Sequence, residues 1–125
     1  MKLARIIDPR FHAALNKLIA SKSLPIKVAF KLKGISKKVQ EEFSKYEEVR
    51  KTALESLGDK NEDGTLKVDE QGNVQFSGDA LQQFAQQIGE LVQEEIELPT
   101  IKLDDLANAE ISFEDVEMLE GLVVE

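Results

Sequence analysis

Asp59, Asn61, Asp63, Gly64, Thr65 and Glu70, in the stretch GDKNEDGTLKVDE from Gly58 to Glu70, follow the spacing D-x-N-x-D-G-x-x-x-x-x-E. That spacing suits calcium. The hard cation takes several oxygens from alternate loop positions, with a glycine at the sixth position and a two-oxygen glutamate at the twelfth. Asp59, Asn61, Asp63, the Thr65 carbonyl and Glu70 would be the ligands, and Leu66 the apolar residue behind them. The mechanism also needs one helix entering and one leaving, so that the last glutamate swings onto the metal. Gly58 stands where the entering helix should continue and is a natural helix terminator. On the far side EQGNVQFSG places Gly72 and Gly78, with β-type alternation, where an exit helix should run. The context therefore favours a hairpin turn over Asn61–Gly64 whose Asp-Gly pair supplies the positive backbone dihedral. Calcium binding through the 59–70 loop is the alternative, and no other cofactor is expected.

Other chemistry is sparse. His12 is the only histidine, with neither a second histidine nor a cysteine to join it at a metal or in a nucleophilic triad, so it reads as a partly exposed helix residue. Glu94-Glu95 and Asp104-Asp105 do not stand out from the acidic surface around them as an acid/base pair. Gly58, Gly64, Gly72 and Gly78 match no phosphate-loop spacing, and an enzyme is not expected. Lys27, Lys31, Lys33, Lys37 and Lys38 have few aromatics interleaved, which argues against direct nucleic-acid binding. The acidic set Asp69, Glu94, Glu95, Glu97, Asp104 and Asp105, with Asp59, Glu62, Asp63 and Glu70, is the candidate partner-binding surface. A basic groove in a partner would take it as it takes nucleic acid.

The elements that must hold these residues are mostly helices. Asp8-Pro9 opens a short helix with Phe11, Leu15, Leu18 and Ile19 on its inner face. From Pro25 to Leu57, Leu32, Ile35, Val39, Phe43, Tyr46, Val49, Ala53 and Leu57 recur at three- and four-residue steps, which predicts one long helix with a continuous apolar stripe. Gly58 is placed to end it in the left-handed conformation. TLKV and NVQF, separated by DEQG, alternate as a β-hairpin does. Leu81, Phe84, Ala85, Ile88, Leu91 and Val92 mark an amphipathic helix from Asp79 to about Gln93, with Ser77 or Asp79 as its cap. IELPTIKL reads as an extended edge segment because of Pro99, and Ser112 with Asp115 as a capping box before a short helix carrying Phe113, Val116 and Leu119. No internal repeat is visible. The expected fold is α+β, mostly helical, with a long central helix, a small β-hairpin and an acidic C-terminal part packed back on it.

At 125 residues and 42% hydrophobic the chain suits one domain with a modest core. Without cysteine it builds no disulfide or zinc-thiolate site. The apolar run of MKLARIIDPRFHAAL is broken by Asp8, Pro9 and Arg10 too early for a signal peptide, and no segment is apolar for long enough to span a membrane. The net charge of −8 conceals a division: residues 1–58 carry +7 and residues 59–125 carry −15. Within the one domain, 1–58 is thus a basic helical part and 59–125 an acidic hairpin-helix part. The halves can neutralise each other within one chain or meet head to tail between copies.

The stretch from LNKLIASKSLP through the long charged helix to GDKNEDGTL, followed by ELVQEEIELPTIKL and ISFEDVEMLEGLVVE, resembles an uncharacterised family of small acidic proteins encoded by tailed bacteriophages and prophages. The resemblance spans nearly the whole chain in pattern and order. It implies a protein made in the cytoplasm of an infected bacterium, or carried in the virion, that works through a protein partner or its own copies. It brings no catalytic or ligand residues with it. The expected function is non-enzymatic protein–protein binding, in virion assembly or in capture of a host factor. An acidic nucleic-acid mimic that inhibits a host nuclease, defence complex or polymerase is the alternative.

Overall fold

The computed structural model describes residues 1–107, 109 and 111–125. The fold is mostly helical α+β: α1 (Leu3–Ile6), α2 (Pro9–Ala20), the long α3 (Ile26–Leu57), α4 (Ala80–Leu91) and α5 (Phe113–Met118), with strands β1 (Ile101–Lys102) and β2 (Val123–Val124). The strands pair in parallel, Ile101 opposite Val123 and Lys102 opposite Val124. Among the described residues no helix is long and apolar enough to cross a membrane.

The contacts group the chain into two compact units, Met1–Phe43 with Glu94–Glu125, and Ser44–Gln93. The expected basic and acidic parts of the chain meet at residue 58, which is not where these units meet. The charge boundary is not the folding boundary: the first unit joins a segment of +7 (residues 1–43) to one of −10 (residues 94–125).

The first unit owns the core. Asp8 caps α2 by accepting the Arg10 amide at 2.9 Å, and Pro9 occupies the first helical position. Phe11, Ala14, Leu15 and Leu18 of α2 are buried with Leu3 and Ile6 of α1 and with Val28, Leu32, Ile35 and Val39 of α3. Ile101, Leu106, Leu119 and Leu122 come from the C-terminal segment. Each large side chain so enclosed contributes roughly 1.5–3 kcal/mol. The Ser112–Asp115 capping box forms in both directions and starts α5, which lies against α2. Extended backbone closes the unit where Leu3 donates to the Glu94 carbonyl at 2.9 Å and Ile96 to the Met1 carbonyl at 2.7 Å. His12 is half-buried between the rings of Phe11 and Phe43, edge-on to each, and its Nε2 has no hydrogen-bond partner among the described residues.

The second unit is built differently. Among the described residues every fully buried side chain belongs to the first unit, so the apolar stripe of α3 is fully buried only over its first half. Tyr46, Ala53 and Leu57 are half-buried and Val49 is exposed. Helix α4 is capped at the Asp79 position without a side-chain bond. The other expected cap, Ser77, donates its hydroxyl to Asp59 Oδ2 at 2.8 Å instead. Gly58 does not adopt the left-handed conformation expected of it; among the described residues the positive-φ glycines are Gly64, Gly72, Gly78 and Gly121. Its part is to leave room. A Cβ there would lie 2.7 Å from the Leu54 carbonyl oxygen and from Val74 Cγ1, and 2.9 Å from Leu66 Cδ2.

Candidate functional site

The calcium-like loop is two turns with the same backbone hydrogen-bond pattern. DKNEDGTL (59–66) and KVDEQGNV (67–74) share an eight-residue pattern, with Asn61 and Asp69, Glu62 and Glu70, Gly64 and Gly72, Thr65 and Asn73, and Leu66 and Val74 as equivalents. The expectation of no internal repeat is therefore corrected. In the first copy Asn61 donates to the Thr65 carbonyl at 2.8 Å; in the second Asp69 donates to the Asn73 carbonyl at 2.9 Å. Gly64 and Gly72 donate back to Asn61 and Asp69, each at 3.0 Å, with φ of 88° and 82°. Isolated antiparallel bridges Lys60–Leu66 and Val68–Val74 flank the turns; the expected TLKV/NVQF hairpin is reduced to the single Val68–Val74 bridge and forms no strand, since Leu66 pairs back with Lys60, and the two-stranded sheet among the described residues is the parallel β1–β2 pair.

The equivalent backbone positions 59, 67 and 75 then close on one another. Lys67 donates to Asp59 at 2.8 Å, Gln75 to Lys67 at 2.9 Å and Asp59 to Gln75 at 2.8 Å. One position earlier in each period stand Gly58, Leu66 and Val74, the three residues that crowd together. The repeat thus caps the end of α3, and only glycine fits at its first apex.

This geometry decides what the candidate ligands do. Asp63 Oδ1 accepts the Thr65 amide at 3.0 Å and the Thr65 hydroxyl at 2.6 Å. The Thr65 hydroxyl and amide hold the Asp63 carboxyl below its ordinary pKa. The Thr65 carbonyl is taken by Asn61, whose side-chain amide donates to Thr65 Oγ1 at 3.1 Å. Asp59 is bound by Ser77. Glu70 is exposed in the second turn, as the repeat mate of Glu62. The twelve positions of the calcium pattern run across one turn and part of the next. Among the described residues no group of three or more histidine, cysteine, aspartate or glutamate side chains is gathered for a metal ion.

The acidic set is divided between the two units. Asp69 lies in the second unit, where its Oδ1 accepts the Gln71 and Asn73 amides, each at 2.9 Å. Glu94, Glu95, Glu97, Asp104 and Asp105 lie in the first unit and are exposed. Glu95 pairs with the Met1 amino group at 3.2 Å. An open cleft of about 680 Å³ in the first unit is lined by Lys2, Arg5, Asp8, Arg10, Met118 and Glu120 among others. Three of its charged groups are turned on their neighbours: Arg10 pairs with Asp8 at 2.9 Å, keeping that carboxyl below its ordinary pKa, and Arg5 donates to the Met118 carbonyl at 3.3 Å.

Helix α4 lies where its apolar spacing placed it. It is strongly amphipathic, yet none of its residues is buried. Phe84 stacks on Phe76 at 5.5 Å, Ile88 and Leu91 are half-buried, and Leu81 is 58% exposed. Its other face is Gln82, Gln83, Gln86 and Gln87. No protein-family model matches the chain, and no curated protein and no solved structure matches it.

Proposed function

We propose that this chain is a non-enzymatic bacteriophage protein that acts by binding another protein, in virion assembly or by capturing a host factor. The phage setting rests on the sequence resemblance. The binding reading rests on α4. An amphipathic helix whose apolar residues are all at least partly open to water presents Leu81, Phe84, Ile88 and Leu91 at the spacing by which a helix anchors in a partner's groove. The unit that carries it has no enclosed core of its own, so burial against a partner adds apolar contact that the isolated chain lacks.

The test is affinity capture of the tagged chain from nuclease-treated lysate of a susceptible bacterium, at low and high salt, beside a Leu81→Asp, Ile88→Asp variant. A stoichiometric protein held by the unmodified chain and lost by the variant is the expected result. A partner retained equally by both, or recovery of neither host nor phage protein, overturns the α4 reading. Salt-sensitive release of a nucleic-acid-binding protein from both forms would favour the acidic-mimic alternative.

A further inference from the structure

The first unit carries two exposed aromatic side chains in surroundings of opposite charge. On α3, Val28, Leu32, Ile35 and Val39 face inward, and helical spacing puts Ile26, Phe30, Lys33 and Lys37 on the opposite side, with Lys27 and Lys31 at its flank. Ile26 is 89% and Phe30 82% exposed. Lys27, Lys31, Lys33 and Lys37 are all exposed, and none makes an ion pair among the described residues. On α5, Phe113 is 77% exposed beside Glu114 and, one turn on, Glu117, which are exposed and likewise without an ion pair. At such exposures neither phenylalanine covers the other within one molecule.

We propose that these patches are the two halves of one interface, the Ile26/Phe30 patch of one copy docking on the Phe113 patch of the next. Each supplies what the other lacks: an apolar anchor to desolvate and a rim of the opposite sign. A second copy is the occupant that the chain itself supplies, because its α5 patch joins an exposed aromatic anchor to carboxylates that match the exposed lysines around Phe30. The contact is heterologous, since the two surfaces differ, so each added copy leaves one patch of each kind free and assembly continues into a ring or a filament. It is independent of α4.

Sedimentation velocity over a concentration series, at about 50 mM and about 500 mM salt, tests this. The unmodified chain is expected to associate beyond a dimer at low salt and to dissociate at high salt, since rim charges are screened within roughly 10 Å or less. Phe30→Asp and Phe113→Lys, both on the surface and checked for unchanged helical circular dichroism, should each weaken self-association at least about tenfold. An equimolar mixture of the two should form a species of two copies and stop there, because each variant retains one intact patch of opposite kind. Leu81→Asp should associate like the unmodified chain. A monomeric unmodified chain at high concentration, association surviving both substitutions, or a mixture that stays monomeric overturns the proposal. So does a monomeric chain that binds a fluorescent single-stranded oligonucleotide through Phe30, which would assign the basic patch to nucleic acid.

Discussion

Replacing Gly58 with alanine adds one methyl group where three elements meet. The new Cβ would stand 2.7 Å from the Leu54 carbonyl oxygen, which is helix backbone and cannot swing aside, and 2.7 Å and 2.9 Å from the methyls of Val74 and Leu66. Over-packing of this kind costs about 1–3 kcal/mol. Alanine returns about 0.4–1 kcal/mol by restricting the unfolded chain. The net expectation is a loss of about 1–2 kcal/mol, confined to the unit 44–93 because both crowded side chains belong to it. Native-state hydrogen exchange reads this locally, at the Asp59, Lys67 and Gln75 amides that close the repeat. They should exchange roughly 5–30 times faster than in the unmodified chain. Gly34→Ala is the control: a Cβ there meets nothing within 4 Å in the middle of α3, so it should stabilise by about 0.5–1 kcal/mol. Unchanged or slower exchange of the three amides in Gly58→Ala would refute the three-way packing.

Gly64→Ala and Gly72→Ala should each cost about 1–2 kcal/mol, and by similar amounts, because repeat mates hold φ of 88° and 82°; exchange of the Thr65 and Asn73 amides measures both. Calorimetric titration with millimolar calcium should give no saturable heat, and such a heat abolished by Asp59→Ala and by Glu70→Ala would restore the metal reading. Asp115 accepts the Ser112 amide and ion-pairs with Lys17, which places its folded pKa below the unfolded value of about 3.9. It therefore adds stability above that value and loses it as pH falls through the folded pKa. Asp115→Asn should accordingly flatten the acid limb of a denaturation profile below about pH 4, and an unchanged limb would count against the pairing. Phe11→Ala, at a fully buried site, should cost about 3–5 kcal/mol in chemical denaturation.

Local rules carried the helices. Asp8-Pro9 and the Ser112–Asp115 box state their own boundaries through side-chain chemistry, and both formed as expected. The long α3 was legible from its period, and the NEDG turn from its Asp-Gly pair. The eight-residue repeat was present in the letters as well. The twelve-residue calcium spacing overlies it and takes Glu70 from the second turn into the first.

Tertiary structure decided the rest. Whether the α3 stripe is buried depends on what packs against it, and periodicity does not say: Leu32, Ile35 and Val39 are enclosed while Val49 lies half in water. The parallel pairing of Ile101 with Val123 joins residues distant in sequence, and no local pattern marks it. Gly58 shows the division most plainly. Its identity said that a helix ends there, which local propensity determines; that it is glycine for want of space, and not for a left-handed turn, follows only from Leu66 and Val74 being folded onto it.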